Sequence, residues 1–433
     1  MTVKIVEGTA FSWQRTASAA PDEARRVADI VADVRARGDA ALRAWTAQLD
    51  GLASAAEDAF SLRVPVAALE AAYQATPAET LEALRAAADR IRTFHEAQWP
   101  EDFTLYGENG EQMGMVWRSL RRVGVYAPGG RGAYPSTVLM DVIPAQVAGV
   151  ASIALCSPPG PDGLPHRDVL AAAYLLGIDE VYRVGGAQAI AALAYGTESV
   201  ERVDKIVGPG NLYVALAKRQ VMGDVGIDSI AGPSEVFIVA GEEANPKFVA
   251  ADMLAQAEHD TEAGAVCVST SEKLLQAVQG ELERQLADLP RFGIAKAALA
   301  RWGALVHVDD LEQAMDLLND VAPEHVELLL DDAAEWLPAI SRAGAVFLGH
   351  DTPEPVGDYY AGSNHVLPTH GSARYASGLG VHDFLRRMSV VAYNRETLSL
   401  HAQHIVTLAR AESLEAHARA VLIREEEERT NGN

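Results

Sequence analysis

Short apolar strands alternating with helices between residues 121 and 380 predict an α/β protein on parallel sheets, with helical additions before and after. Three observations carry that expectation. Runs such as "RRVGVYAP", "ASIALCSPP" and "SEVFIVA" are apolar throughout, as strands covered on both faces must be. Helix-like stretches, "PSTVLMDVIPAQVAG" and "NPKFVAADMLAQAEHD" among them, separate the strands at the spacing of crossover connections. A length of 433 residues also exceeds what one growing core accommodates, so two sheet domains fit better than one.

In chain order, residues 1–120 read as a helical segment, part of which packs on the first α/β domain. Val27, Ile30, Val31 and Val34 repeat at three- and four-residue spacing. Further on, Thr76 is expected as an N-cap with Pro77 at the first helical position. Residues 121–235 form the first α/β domain, with strands at "RRVGVYAP", "ASIALCSPP", "DEVYRVGG" and "DKIVGPG". Residues 236–380 form the second. Regularity fails after "GAVFLG" in a long stretch holding "GDYY" and "NHVLP"; so long an irregular run in a compact chain is usually functional or disordered, and its tyrosines and histidines favour function. Residues 381–433 form a C-terminal helical segment, helix returning from Glu396, and end in a solvated charge run, "REEEERTNGN".

Composition narrows the functions. Sixty acids against 36 bases give a net charge of −24, and no basic stretch supplies the footprint a nucleic-acid reader needs. The two cysteines, Cys156 and Cys267, sit in apolar runs and read as small buried hydrophobes rather than a disulfide or a nucleophile. The start "MTVKIVEGTAFSW" lacks the make-up of a signal peptide, and no run reaches the roughly 18 apolar residues of a membrane span. A cytoplasmic protein is expected.

Three groups of residues could carry chemistry. Glycine turns "YAPGGRGAYPST", "VGGAQA", "VGPGN" and "IAGPSE" fall at strand ends, where parallel sheets gather phosphate or dinucleotide ligands; none spells Gly-x-Gly-x-x-Gly, and each alone also reads as steric punctuation. In "QAEHD", Gln256 and His259 lie three apart on a helix begun by Asn245 and Pro246, close enough for one metal. Partner ligands would come from Asp358, His365, His401, His404 and His417, although any one of these taken alone is more often a surface or satisfied side chain than a ligand. Finally "NDVAPEHVELLL" sets Glu324 beside His325. Either a helix stops at the proline and two polar residues lead solvent-side into a strand, or both occupy the turn before strand alternation begins and face one volume.

These motifs, in this order, resemble the histidinol dehydrogenase family. "IDSIAGPSEVFIVA" is similar to its signature, and "KIVGPGN", "QAEHD", "APEH", "GDY" with "NHVLPT", and "LEAH" follow it in family order, over residues 20 to 425. The resemblance implies two incomplete Rossmann-like domains and two successive NAD-dependent oxidations, carrying L-histidinol through L-histidinal to L-histidine in histidine biosynthesis. It implies one zinc per subunit on Gln256, His259, Asp358 and His417. Substrate contacts would be Ser234, Gln256, His259, His325, Asp358, His365, Glu412 and His417, and NAD contacts Tyr126, Gln188 and Asn211. It also implies a homodimer in which the C-terminal segment completes the partner's site. Histidine chemistry suits His325 to acid/base work on the alcohol and hydrate, and the carboxylate of Glu324 suits water activation. His382 departs from the family's apolar or aromatic residue, and "VMGDVGID" is short. Two rivals stand beside this reading: a paralogue oxidising another amino or sulfonated alcohol, and a zinc hydrolase using Glu324 without NAD.

Overall fold

The computed structural model describes residues 3–13, 21–57, 60–129 and 133–431. Gly130, Arg131 and Gly132 of the first glycine turn, and the end of the acidic tail, lie outside the described residues. The chain divides into a first unit, residues 1–98 and 120–384, and a second, residues 99–119 and 385–433.

Two parallel sheets organise the first unit. The larger has six strands in the spatial order Ile5–Glu7, Gly303–His307, Gly264–Ser269, Glu235–Ala240, His325–Leu329, Ala345–Leu348. Its central strand shows why the sequence reads as unbroken apolar: Val236, Ile238 and Ala240 enter one core while Phe237 and Val239 enter the core on the opposite face. Helices Pro246–Ala257 and Glu272–Leu286 supply the first core, and Leu311–Val321 the second. The smaller sheet has five strands, in the order Val181–Arg183, Ser152–Ser157, Arg122–Tyr126, Lys205–Val207, Gly226–Ile227. One face is covered by the N-terminal helix Pro21–Arg37, whose Val27, Ile30, Val31 and Val34 are all buried there.

Chain order reverses once in each sheet. In the smaller it turns between Arg122–Tyr126 and Lys205–Val207; in the larger, between Glu235–Ala240 and His325–Leu329. Such switch points open a crevice between diverging connections.

Several expectations need correcting. The opening segment is not purely helical: Ile5–Glu7 completes the large sheet, and Phe103–Tyr106 and Gln112–Ser119 belong to the second unit. Thr76 ends one helix rather than starting the next, because its hydroxyl donates back to Ala72 O at 2.9 Å; Pro77 then takes the N-cap of Ala78–Glu96. The long stretch after residue 349 is ordered, though little of it is regular. Asn364 Nδ2 donates to Met140 O at 2.7 Å, Val381 N to Gln98 Oε1 at 2.9 Å, and Lys205 pairs with Asp383 at 2.8 Å. These side-chain ties replace the repeating ladder that a periodic pattern would reveal.

In the second unit, Leu385–Ala392 pairs antiparallel with Gln112–Ser119, which pairs with Phe103–Tyr106. A strand thus opens the segment expected to be helical from residue 381, and helix begins at Arg395, one residue from the expected Glu396, in Arg395–Ala411 and Glu415–Asn431. Leu105, Tyr106, Val391 and Leu408 are more than half exposed, an unusual amount of apolar surface for so small a body. No described helix is long and apolar enough to cross a membrane.

Candidate active site

The chemistry of the large sheet gathers at the amino edge of its switch point. His325 is the first residue of its strand, in register with Val236 and Ala345. The irregular link expected for the Glu-His pair therefore ends at Glu324: the helix before it closes at Val321, and Ala322 makes the left-handed turn at φ 50°. The two side chains, 3.7 Å apart, both reach the main chain of one residue, Glu235. Glu324 Oε2 accepts from Glu235 N at 2.9 Å, and His325 Nδ1 lies 3.1 Å from Glu235 O. With a carbonyl as partner, Nδ1 carries the proton and Nε2 is left as the basic nitrogen. Nε2 has no hydrogen-bond partner and lies 3.6 Å from Asp358 Oδ1, an ion-pair distance rather than a formed hydrogen bond.

Gln256 and His259 approach from the helix Pro246–Ala257, started by Asn245, whose side chain accepts from Lys247 N at 3.0 Å. The helix stops at Ala257, so His259 is not on its face as the spacing predicts. A turn in which His259 N donates to Gln256 O at 3.2 Å keeps the two together, 3.4 Å apart at their side chains. Asp358 comes from the short helix Glu354–Tyr359. Gly357 lets that helix settle on Phe347, since a Cβ there would lie 2.5 Å from the ring.

Glu354, which sequence reading passed over, heads that helix and is buried, as Gln256, Glu324 and His325 are, while His259 and Asp358 are less enclosed. Donor atoms of His259, Glu354 and Asp358 all lie within 4.8 Å of one another, the spread of a metal's ligand shell. The residue precedes Asp358 by four positions, so the same helical-face argument that singled out Gln256 and His259 could have found it.

Burial and charge tune the groups. Burial pushes the Glu324 carboxyl up to about 7, although His325 and the Glu235 amide pull the other way. Burial opposes a charged His325, but Glu354, Glu324 and Asp358 together outweigh it and hold the imidazole well above the usual histidine range. Burial lowers His259 and His365, each partly offset by Asp358; burial would raise Asp358, but His325, His365 and His259 hold it below the ordinary range. Carboxylates crowded round imidazoles are the environment a bound cation balances.

The structure thus brings together Gln256, His259, Asp358, Glu324 and His325, with His365 near enough for Asp358's charge to act on it. Ser234 stands immediately before Glu235 on the same edge, so "IAGPSE" leads into a strand rather than ending one as expected. Glu412 and His417 belong to the second unit, Glu412 as the C-cap of Arg395–Ala411 and His417 in the first turn of the last helix; both are exposed. His382 is exposed as well.

At the carboxyl edge of the smaller sheet the working parts are mostly backbone. Buried Tyr126 ends its strand, and its hydroxyl accepts from Gly186 N at 3.1 Å. Buried Gln188 stands in the first turn of the helix Gly186–Tyr195, with Oε1 unpartnered and Nε2 3.4 Å from Asp50. Gly208, across the switch point, has φ +111°, and a Cβ would meet Tyr126 O at 2.2 Å, so no other residue fits. Its N–H donates to Asp228 at 2.8 Å and its carbonyl accepts from Lys218 at 2.6 Å, which fixes the turn. Asn211 then caps the helix Leu212–Val221, its Oδ1 accepting from Tyr213 N and Val214 N at 3.0 and 3.2 Å. That oxygen is committed; the amide nitrogen remains for a ligand.

Main-chain turns at the carboxyl edge of one parallel sheet and clustered titratable side chains at the amino edge of another suit an α/β dehydrogenase. Which dehydrogenase follows from comparison with known proteins. The family model described as histidinol dehydrogenase matches residues 13–425, and the chain belongs to that family. It is 50% identical to a histidinol dehydrogenase of Geobacillus kaustophilus, over 98% of this chain and 99% of that one. The figure is 46% for that of Bacillus subtilis, over 98% and 99%. Among solved structures, histidinol dehydrogenase from Elizabethkingia anophelis superposes with a TM-score of 0.91 at 37% identity, covering 96% of this chain and 94% of that one.

Proposed function

We propose that this chain oxidises L-histidinol to L-histidine through L-histidinal, with zinc as its resident metal and NAD as oxidant. The observation that carries the reading is the meeting of Gln256, His259 and Asp358 with Glu324 and His325 at one sheet edge. An imidazole, a carboxylate and an amide suit zinc, with room for a further ligand; His417 is the residue we assign to it. Bound zinc supplies a fixed point for the nitrogen donors of an amino alcohol. Tyr126, Gln188 and Asn211 would hold NAD at the switch point, where it would supply the hydride acceptor for each oxidation.

The chain's own residues handle protons and position. Alcohol to aldehyde, and aldehyde hydrate to acid, each release one proton with the hydride. Nε2 of His325, left as the free nitrogen by the Nδ1 contact to Glu235 O, takes that proton in both oxidations; a cation bound beside Asp358 would offset the carboxylates that otherwise hold the ring charged. Glu324, with a pKa near neutrality and one oxygen fixed on Glu235 N, draws a proton from the water that adds to the aldehyde. The exposed apolar residues of the second unit suit a subunit contact, and we read the protein as a homodimer whose C-terminal segment brings Glu412 and His417 to a partner's site.

The test is stoichiometric. Purified protein with zinc, NAD and L-histidinol should form about two NADH per substrate consumed, the count of a four-electron oxidation. About one would point to a paralogue's single oxidation, and none to a hydrolase.

A further inference from the structure

The amide of Gln256 has a direction, and its neighbour sets it. An amide's oxygen and nitrogen are told apart by the partners each can take. One arm of the Gln256 amide faces both oxygens of Glu354, and only the nitrogen can face a carboxylate productively: turned so, it donates to Oε2 at 2.8 Å and Oε1 at 3.1 Å. The other arm is then the oxygen, 3.4 Å from His259 Nδ1. Adjacent ligands of a four-coordinate ion with bonds of about 2.05 Å lie about 3.3 Å apart, so that separation is the edge of a metal's coordination shell.

We propose that Glu354 is a positioning residue: by accepting from the Gln256 amide nitrogen it turns the amide oxygen toward the metal. This rests on the zinc reading above. The effect is electronic as well as steric. A neutral amide oxygen is a weak zinc ligand, and a hydrogen bond given by its nitrogen shifts electron density onto that oxygen. Glu354 is itself held in place: it is 2% exposed, and its backbone N–H donates to Glu327 Oε1 at 2.7 Å at the start of its helix. Both carboxylate oxygens are engaged with the amide, which sets this role apart from that of a metal ligand.

The test measures zinc affinity of the full-length protein by competition with a chromogenic chelator, folding being checked by circular dichroism. Glu354→Gln should lose roughly 10- to 100-fold in affinity, the usual effect of removing a group that orients a ligand. Gln256→Glu should also lose affinity, because two carboxylates then face each other. The double variant, which exchanges amide and carboxylate, should regain most of the loss. With Co(II) at saturation, Glu354→Gln should keep the coordination number of the unaltered protein. Wild-type affinity in Glu354→Gln, a double variant no better than the single ones, or a lowered coordination number would each overturn the inference. An unaltered protein that takes up no zinc would overturn the metal reading, and this inference with it; that result is distinct from the other three.

Discussion

The two parallel sheets of the first unit each reverse chain order once, but they use opposite edges of that switch point. The smaller sheet presents its carboxyl edge, where Tyr126, Gly186 and Gly208 bring backbone amides and carbonyls together. The larger presents its amino edge, where Glu324, His325, Gln256, His259, Glu354 and Asp358 converge as side chains. Strand direction explains the division. Turns after parallel strands open into helix N-termini, whose free amides suit phosphates. At the amino edge the chain arrives from helix ends, and what it can offer there is side chains aimed past the first residue of each strand. One architecture thus yields a site made of main chain and a site made of titratable groups.

The strongest way to break that contrast is to remove the proton acceptor. Replacing His325 with Ala should lower turnover with histidinol and with histidinal alike by about 10²- to 10⁴-fold, the usual worth of a general base. Comparable turnover in steady-state NADH assays would show that the amino edge does not do the chemistry. At the other edge, Gly208→Ala must place a side chain at φ +111° against Tyr126 O, so a loss of about 2–3 kcal/mol of stability is expected. Urea unfolding reads that loss, and a raised KM for NAD with little change in KM for histidinol would assign the turn to the nucleotide.

The last effect, seen only above about pH 4, concerns Asp50, beside Gln188 and the Gly185 turn. Burial raises its carboxyl from the ordinary 3.8 to about 6, against the pull of the Gly185 amide. The folded state therefore keeps this proton to higher pH than the unfolded chain, and stability falls as pH rises from about 4 to about 6. Asp50→Asn keeps the contact without the charge. It should match the unaltered protein below about pH 4 and exceed it above pH 6, by at most about 3 kcal/mol. Urea midpoints across pH 4 to 8 would show it; an advantage of Asn that is flat with pH would contradict the buried charge.

Much of this was legible in the sequence because it is periodic or clustered. Strand and helix alternation gave the parallel sheets, and "QAEHD" and "APEH" marked residues that do meet. The rest depended on contacts far apart in the chain. His325 proved to be a strand residue only because its partners, Val236 and Ala345, fix where pairing begins. The stretch from 350 to 384 is held by single ties such as Asn364 to Met140, which leave no period to read. Glu354 hid in a proline-flanked turn, although its spacing to Asp358 was visible. Thr76 was misplaced by one helix because a hydroxyl can bond a carbonyl behind it as readily as an amide ahead.

The claim that matters most is the division of labour around one residue's main chain, His325 on the carbonyl of Glu235 and Glu324 on its amide N–H. Glu324→Gln separates the two. Supplied with zinc and NAD, this variant should still oxidise L-histidinol in a single turnover, yet stall when offered L-histidinal, because water activation is lost while the alcohol's base remains. Equal loss in both half-reactions would contradict the account.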